Sequence, residues 1–405
     1  MEIAHHFFIT ICVASDSGEM EVIMKKSRII IAVLCMSSLL LSYMVIAPLL
    51  AEIMKSFPNA TVTEIQLIFT IPSIISIPAM LIAGKLVYYF SKKTMIVISM
   101  SIIIISGVLP LIVSNNLMFL YFVSVLIGIG LGVVTTLSSS IVSDYFEGLE
   151  CAKIMGYQSA AISLGATIMS ALSGRIATIR WSYSYLIFLL FIPFVIIVIL
   201  FLPKGKLLQK SKSSESSIST GLLYFAILSF LCGIFVTAYN TNIGLFIKVN
   251  SLGGAEATGT VSSLSMLIGI PAGLLVGKLN QIFKRNIFAF AVLSISLGFF
   301  ATAFSQNMVL IYLGSILIGF GFAVRTPSAI TFAVEMVEAE SAAMAIAIVG
   351  SALNIGNFVS PFIINAMTKF IGNGISTIFI VCGICSLVIT ALYLFTNPVK
   401  EQVLN

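Results

Sequence analysis

The sequence predicts an all-α membrane protein with twelve transmembrane helices, arranged as two six-helix bundles related by pseudo-two-fold symmetry. Three observations predict it: an apolar composition, a series of apolar runs of helical length, and an internal repeat. Of the 405 residues, 59% are hydrophobic and 9% are charged, and the mean hydropathy is +1.14. A water-soluble chain of this length would expose most of that apolar surface, so a bilayer is the expected solvent.

Twelve apolar runs are long enough to cross hydrocarbon as helices. The hydrocarbon core is roughly 30 Å thick, so a helical crossing needs about 20 mostly apolar residues. A helix satisfies its own backbone hydrogen bonds in that layer. The predicted spans are Ile29–Leu50, Ile65–Val87, Thr94–Val113, Leu117–Val142, Ala152–Gly174, Tyr183–Leu202, Leu222–Ile247, Thr258–Val276, Ile287–Ala303, Met308–Val334, Ala342–Met367 and Ile375–Phe395.

These spans divide the chain into two bundles with polar segments around them. Residues 25–202 form the first predicted bundle and residues 220–397 the second. Residues 203–219 are rich in lysine and serine and cannot bury apolar area, which predicts a flexible cytoplasmic linker. Residues 398–405 form a predicted cytoplasmic tail. Residues 1–24 are interpreted as an extension that is either untranslated or disordered, since a methionine at its end directly precedes the first basic cluster.

The placement of lysine and arginine predicts the orientation. With the N-terminus inside, most basic residues fall on the cytoplasmic side of the spans. The predicted outside set is only Lys55, Arg175, Arg180, Lys248 and Lys369. This asymmetry predicts a multi-pass protein of the bacterial cytoplasmic (inner) membrane with both termini in the cytoplasm.

Two stretches of sequence repeat in the same direction in both halves. Pro78–Leu86 reads PAMLIAGKL and Pro271–Leu279 reads PAGLLVGKL, and each copy continues to a phenylalanine and a basic pair. A second echo relates residues 120–130 to residues 311–321. Parallel repeats are the plan of secondary transporters, in which two similar halves rock about a central site. A receptor or a membrane enzyme has no need of this symmetry, so we predict a transporter and not an enzyme.

The loop between the second and third spans carries a motif that resembles the major facilitator superfamily. Members of that family have in this loop a glycine, an acidic residue four positions later, and then Gly-Arg-Lys. Here residues 84–93 read GKLVYYFSKK, in which Gly84, Lys92 and Lys93 match and Tyr88 replaces the acid.

A second copy of this motif lies between the eighth and ninth spans and keeps Gly277, Lys284 and Arg285. In the family, these loops and a carboxylate at the inner end of helix four form a charge network that latches the inward side shut. The resemblance implies that Asp144 pairs with a lysine of the first copy and Glu335 with a basic residue of the second. The alternative, that these basic residues only set the topology, stays open.

Along residues 25–400 the chain is most similar to the drug:proton antiporter branch of that superfamily in Gram-positive bacteria. Ser124 stands where that branch commonly has an arginine, and the glycine-proline pair that follows Gly165 in the branch is missing. The residues that carry the similarity are Pro48, Ile65–Ile68, Asp144–Phe146 and Ser360–Pro361.

Arg325 is the most informative single residue in the spans. The tenth helix runs inward from Met308 to about Glu335, which places Arg325 about 15 Å from its inner end, near the midplane. An arginine at that depth is energetically costly and usually faces a cavity or a partner. No acidic residue is predicted at comparable depth. Arg325 therefore either binds a substrate carboxylate or phosphate, or is structural, bonded to carbonyls near Pro327 or reaching toward Glu335.

Polar residues in the helices that line the cavity of this superfamily complete the candidate substrate site. Each can orient a ligand by hydrogen bonds, and each can instead tether two helices. These residues are Tyr43, Gln158, Tyr239, Asn240, Asn242 and Asn354.

We expect a monomeric secondary transporter of a small molecule that works by alternating access, without a cofactor, a metal or nucleic acid. The leading hypothesis is proton-coupled efflux of drug-like or amphipathic compounds, with Asp144 as the carboxylate nearest the centre. An alternative is uptake or exchange of an organic anion or other metabolite that Arg325 captures. A remote alternative is a non-transporting membrane sensor or scaffold. No GxxxxGK[ST] motif occurs, which argues against ATP as the energy source.

The predicted orientation can be tested with reporter fusions. Alkaline phosphatase, which is active only outside the cytoplasm, should be inactive when fused after Asn405, because the lysine and arginine bias retains that end inside. The same enzyme inserted after Ser114, in a predicted outside loop, should be active and serves as the control. Phosphatase activity from the Asn405 fusion would refute the predicted topology.

Overall fold

A computed structural model describes residues 17–146, 148–203, 220–337, 342–371 and 374–396, and every regular element among them is helical. We number the spans α1 to α12 in chain order. They are α1 (Ser17–Ser37 with Leu50–Ser56), α2 (Val62–Leu86), α3 (Lys92–Ile112), α4 (Leu117–Tyr145), α5 (Gly148–Ile176), α6 (Trp181–Phe191 with Ile192–Phe201), α7 (Thr220–Val249), α8 (Ala255–Leu267 with Gly269–Phe283), α9 (Ile287–Ala303), α10 (Met308–Glu335), α11 (Ala342–Ile371) and α12 (Ile375–Thr396).

The described helices account for twelve spans. Among the described residues, nine helical stretches are long and apolar enough to cross a membrane, and ten if the bent α1 counts as one span. One of the nine is the 49-residue stretch Ala255–Ala303, which holds both α8 and α9. The remaining span is the 29-residue α5, whose glycine, serine and charged residues lower its hydropathy. The predictions for the linker and the tail, and most of the extension, lie outside the described residues.

Three spans are less regular than the sequence predicts. The predicted first span is continuous, whereas α1 is interrupted between Ser37 and Leu50 by two 3₁₀ turns. Pro48 lies in the second of these turns and has no backbone N–H to donate. The first half of α6 is also a 3₁₀ helix. α8 breaks at Ile268, where Pro271 removes another backbone donor.

Side-chain caps fix the starts of several helices. At the start of α2, the Thr61 hydroxyl accepts the Glu64 N–H at 3.3 Å, and the Glu64 carboxylate accepts the Thr61 N–H at 2.7 Å. Ser91 caps α3, so that helix begins two residues before its predicted start. Asn116 and Asn307 cap α4 and α10 in the same way, which places matching caps in the two halves.

Each bundle has its own hydrophobic core. One core consists almost entirely of side chains between Ile29 and Leu202, and the other of side chains between Leu222 and Tyr393. Because the two cores are separate, the halves can move against each other without exposing either interior.

Matching glycines repeat the same helix contact in both halves. Gly165 of α5 lies against the carbonyl of Ser38, just past the first segment of α1. Its counterpart Gly356 of α11 lies against the carbonyl of Phe230 in α7. A Cβ at either position would overlap that carbonyl. In a membrane, where packing drives helix association, such contacts allow backbones to approach closely.

The bundles have two ends, which we name after residues near them. The Glu64 face is the end at which α2 begins and α1, α5, α7 and α11 finish, and the Lys92 face is the opposite end, at which α3 begins. The bundles pack on each other through α2 with α11 and through α5 with α8.

The glycine contacts give a stability prediction. Gly165→Ala and Gly356→Ala should each lower stability by about 1–3 kcal/mol, because the added methyl group overpacks a helix contact. Thermal unfolding in detergent measures this. Gly350→Ala is the matched control, since no atom lies within 4 Å of a Cβ there and alanine is the better helix former. Unfolding temperatures for Gly165→Ala and Gly356→Ala as high as that of the control would contradict the assignment.

Candidate functional site

Arg325 is the only charged side chain that is buried among the described residues, with 1% of its surface exposed. Its Nη2 donates to the hydroxyl of Thr326, its neighbour in α10, at 2.9 Å. The guanidinium carbon lies 5.5 Å from the centre of the Phe322 ring. Cys232 of α7 lies near the guanidinium. The Nε–H is buried and has no partner.

None of these contacts supplies Arg325 with a negative charge. In the part of the chain that the structure describes, neither Glu335 nor a carbonyl near Pro327 accepts a hydrogen bond from it, and no ion pair includes it. A cation taken out of water costs free energy unless it is paired. The site therefore has both the charge and a free donor to bind an anion. Apart from two in the first turns of α1, the described acidic residues lie toward the ends of the bundles. These residues are Glu52, Glu64, Asp144, Glu150, Glu256 and Glu335.

Two of the predicted polar residues connect helices within one bundle. Gln158 of α5 donates to the hydroxyl of Ser138 in α4 at 3.0 Å. The hydroxyls of Tyr239 in α7 and Ser315 in α10 lie 2.7 Å apart. Both pairs are buried, so these residues act as tethers in this conformation.

The other three predicted polar residues differ in their contacts: one packs within its own bundle, one bonds across the two bundles, and one has a buried oxygen without a partner. Tyr43, in the interrupted part of α1, packs edge-on against Phe69 of α2 with ring centres 5.2 Å apart. Asn354 of α11 donates to Ser76 of α2 at 3.5 Å, across the two bundles. The Oδ1 of Asn240 is buried without a partner. Of the three, the structure places only Asn354 at a contact between the bundles, and the role of all three residues in substrate binding stays a prediction.

The Glu64 face is closed by a cluster that we call the amide lock, formed by Thr63, Gln66, Asn242 and Asn365. The Gln66 amide donates to the Asn242 carbonyl oxygen at 2.9 Å. The Asn365 amide donates to Gln66 Oε1 at 2.9 Å and to the Thr63 hydroxyl at 3.0 Å. The amide lock thereby joins α2 of the first bundle to α7 and α11 of the second.

Sequence reasoning had placed Asn242 among the substrate residues and had missed Gln66 and Asn365. A signal for both exists, because an amide inside an apolar run usually bonds across to another helix. Lys248 adds a further contact between the bundles on this face, where its Nζ donates to the Ala51 carbonyl at 3.0 Å.

On the Lys92 face, the structure brings one half of the predicted charge network together. Lys92 at the start of α3 forms an ion pair with Asp144 at the end of α4 and also donates to Ser140 at 2.6 Å. No ion pair includes Lys93 among the described side chains. A Cβ at Gly84 would have no atom within 4 Å.

The second half of that network is apart in this conformation. Within the ranges described, neither Lys284 nor Arg285 forms an ion pair with Glu335. The backbone carbonyl of Arg285 instead accepts a hydrogen bond from the Tyr393 hydroxyl at 2.8 Å. Gly277 has open space around it, like its counterpart in the first half. Whether these residues latch the Lys92 face stays a prediction.

Open space at glycines shows where the bundles separate. Gly84 lies 18 residues after Gln66, which is five helical turns, so both lie on the side of α2 that faces the second bundle. Gln66 is in contact with that bundle, and Gly84 is not. The gap between the bundles therefore opens toward the Lys92 face. Glycines on this half of the molecule with no atom within 4 Å of a Cβ are Gly84, Gly156, Gly273, Gly277 and Gly350.

Asp144→Asn tests the charge network. The variant should reduce transport about two- to fivefold while leaving membrane insertion intact, because asparagine cannot pair with Lys92 and partly exposed ion pairs contribute about 0.2–1 kcal/mol. The measurement is the initial transport rate per inserted molecule.

Glu150→Gln is the control for that experiment. It breaks the exposed ion pair between Glu150 and Lys26, which is 2.8 Å long and lies on the same face. Equal rates for the two variants and the unmodified protein would contradict a latch at Asp144.

Comparisons with known proteins agree with this architecture. A family model described as Major Facilitator Superfamily matches residues 32–226 and 225–405, one match for each bundle. No curated protein matches the chain. Solved structures of transporters resemble it, and their low sequence identities make them evidence for the fold alone.

Three of these structures illustrate the similarity. The xylose transporter XylE from E. coli, in an inward open conformation, is 16% identical, with a TM-score of 0.73 over 91% of this chain and 95% of that one. The nucleoside transporter NupG is 15% identical, with a TM-score of 0.72 over 91% and 98%. A bacterial homologue of the human lysosomal transporter Spinster, inward-facing and unoccupied, is 12% identical, with a TM-score of 0.66 over 92% and 95%. The predicted fold class is confirmed, and the drug:proton antiporter branch stays a prediction.

Proposed function

Because the chain belongs to the Major Facilitator Superfamily, we propose that it carries a small organic anion across the membrane by alternating access, with Arg325 binding the anionic group. As a member of this superfamily it is a multi-pass membrane transporter and not an enzyme. The identity of the cargo and the way its transport is driven are the new elements of the proposal.

The observation that carries the proposal is the buried guanidinium of Arg325 without a counter-charge. A substrate carboxylate or phosphate would supply that charge and would accept hydrogen bonds from Nε and from an Nη nitrogen, the two-point geometry that arginine favours. Exchange of one anion for another needs no protonatable carrier. This agrees with the absence of a buried Asp, Glu or His among the described residues.

Proton-coupled efflux of amphipathic compounds, the leading hypothesis from the sequence, is the second candidate. It is favoured by an apolar groove of about 410 Å³ between α1, α5 and α6, lined in part by Leu34, Ile168 and Phe194. Ile168 is 48% exposed on the outer surface of the bundle, so a compound dissolved in the bilayer has access to the groove. This candidate requires a carboxylate to carry the proton, and Asp144 is the nearest described one to the centre.

We further propose that the Lys92 face lies in the cytoplasm, so the structure represents an inward-facing state. The excess of lysine and arginine in the loops of that face supports this orientation. The resemblance to XylE and to the Spinster homologue, both solved in inward conformations, agrees with an open Lys92 face.

Transport assays in proteoliposomes separate the two candidates. The unmodified protein should exchange a radiolabelled carboxylate or phosphate ester for the same internal anion without a pH gradient. Arg325→Gln should lower that rate at least about tenfold, because hydrogen bonds to charged groups are worth about 1.5–3 kcal/mol. Arg325→Lys, which retains the charge but not the two-point geometry, should be intermediate.

Arg175→Gln is the matched control, since Arg175 is exposed at the Glu64 face. It should transport like the unmodified protein. The anion proposal is wrong if Arg325→Gln retains full activity, and also if only cationic amphipathic compounds move, driven by a pH gradient.

A further inference from the structure

A pocket of about 620 Å³ lies on the first bundle at the Lys92 face, where α1 and α3 begin and α6 ends. Three cationic side chains line it, Lys25 and Arg28 from α1 and Lys93 from the first turn of α3. Residues 200–202, at the end of α6, supply an apolar wall. The pocket therefore combines positive charge with apolar surface.

The three cations of this pocket have no carboxylate partner among the side chains that the structure describes. Lys26 and Lys92, which adjoin pocket residues in the sequence, form ion pairs with Glu150 and Asp144. Consecutive residues of an α-helix lie about 100° apart around its axis, so neighbouring lysines face different sides. The charge on the pocket side is therefore available to an anion from outside the protein.

The apolar wall continues along the outside of α6. Leu200 is 70% exposed, and Ile196 and Ile192, about one and two turns earlier on the same side of the helix, are 52% and 45% exposed. Because α6 is long and apolar enough to cross the bilayer, this exposed strip lies against lipid acyl chains. A ligand that has both an anionic group and acyl chains would contact the cations and the strip together.

We propose that this pocket binds the phosphate of an anionic phospholipid from the leaflet at the Lys92 face, with the acyl chains along α6. The phosphate accepts charge-assisted hydrogen bonds from Lys25, Arg28 and Lys93. Basic pockets between transmembrane helices bind acidic lipid head groups in this way. The site lies in the first bundle, so it is independent of Arg325 and of the proposed cargo.

Two other sources of phosphate fit this pocket less well. A zwitterionic phospholipid would bring its own ammonium group close to three cations, which repel it. Inorganic phosphate offers the same anionic oxygens but leaves the exposed strip of α6 without a partner. The proposal therefore requires a lipid with a net negative charge.

Native mass spectrometry of the purified full chain tests the proposal. The probes are phosphatidylglycerol and phosphatidylcholine with identical acyl chains. We expect one phosphatidylglycerol molecule to bind at least about tenfold more tightly than phosphatidylcholine, because each lysine or arginine near the membrane surface attracts anionic lipid. The triple variant Lys25→Gln, Arg28→Gln, Lys93→Gln should lose this preference.

A second triple variant is the matched control. Lys85→Gln, Lys153→Gln, Lys278→Gln removes the same amount of charge from exposed lysines of the Lys92 face that do not line the pocket. It should retain the preference for phosphatidylglycerol, and so should Arg325→Gln. Equal losses in the two triple variants would show a general effect of surface charge and would overturn the site.

Two further measurements identify the source of the phosphate and the place where it binds. An excess of inorganic phosphate should not displace phosphatidylglycerol, since it lacks the contact with α6. In nanodiscs, phosphatidylglycerol with a photoreactive group near its glycerol should label the peptide that contains residues 192–203, which locates the lipid on the unmodified protein. Displacement by inorganic phosphate, equal binding of phosphatidylcholine, or labelling confined to other helices would contradict the proposal.

Discussion

Hydrocarbon offers no hydrogen-bond partner to a polar group, and the rest of this structure depends on that constraint. Each backbone amide in the bilayer must be paired within the protein, which restricts the spans to helices. Many hydroxyl groups bond back to their own helix, as Ser37 does to the Val33 carbonyl at 2.6 Å. The Gln66 and Asn365 amides instead bond between the bundles, in the amide lock. Arg325 is the exception among the described charged side chains, because it is buried and nothing described around it balances its charge.

Helix number and the two-bundle plan could be predicted because both follow from patterns within the chain. Apolar runs of sufficient length predicted the twelve spans, and the register of the parallel repeat carries Gly165 onto Gly356. The structure places both against a carbonyl of the first helix in their bundle. A helix contact that occurs at equivalent positions of both halves can therefore be predicted from the sequence repeat.

The interruptions within individual helices and the side-chain contacts between the bundles could not be predicted from the sequence. Pro48 signals a break in the first span, but the apolar run does not show that the interruption extends from Ser37 to Leu50, since a 3₁₀ turn satisfies its backbone almost as locally as an α-turn. Gln66 and Asn365 are recognisable as polar, but their pairing depends on how two separately packed bundles meet. For the same reason the sequence cannot distinguish Lys92, which meets Asp144, from the basic pair of the second half, which does not meet Glu335.

The two halves share a backbone plan and differ in chemistry. The register of the repeat places Val134, which is fully buried, at the position equivalent to Arg325. The charge thus belongs to one bundle alone, and a buried apolar side chain takes its place in the other. The anion that we propose for Arg325 would therefore be bound unequally by the two bundles.

The central claim is that closure alternates between the Glu64 face and the Lys92 face. Electron–electron distance measurements in nanodiscs test it directly, with spin labels at Tyr89 and Ile282 on the Lys92 face and at Asn59 and Val249 on the Glu64 face, all exposed. We predict a second, shorter distance in the first pair and a second, longer distance in the other, with populations that change together when a transported ligand is added. A Glu64-face pair that retains one distance under every condition, while the protein transports, would contradict the account.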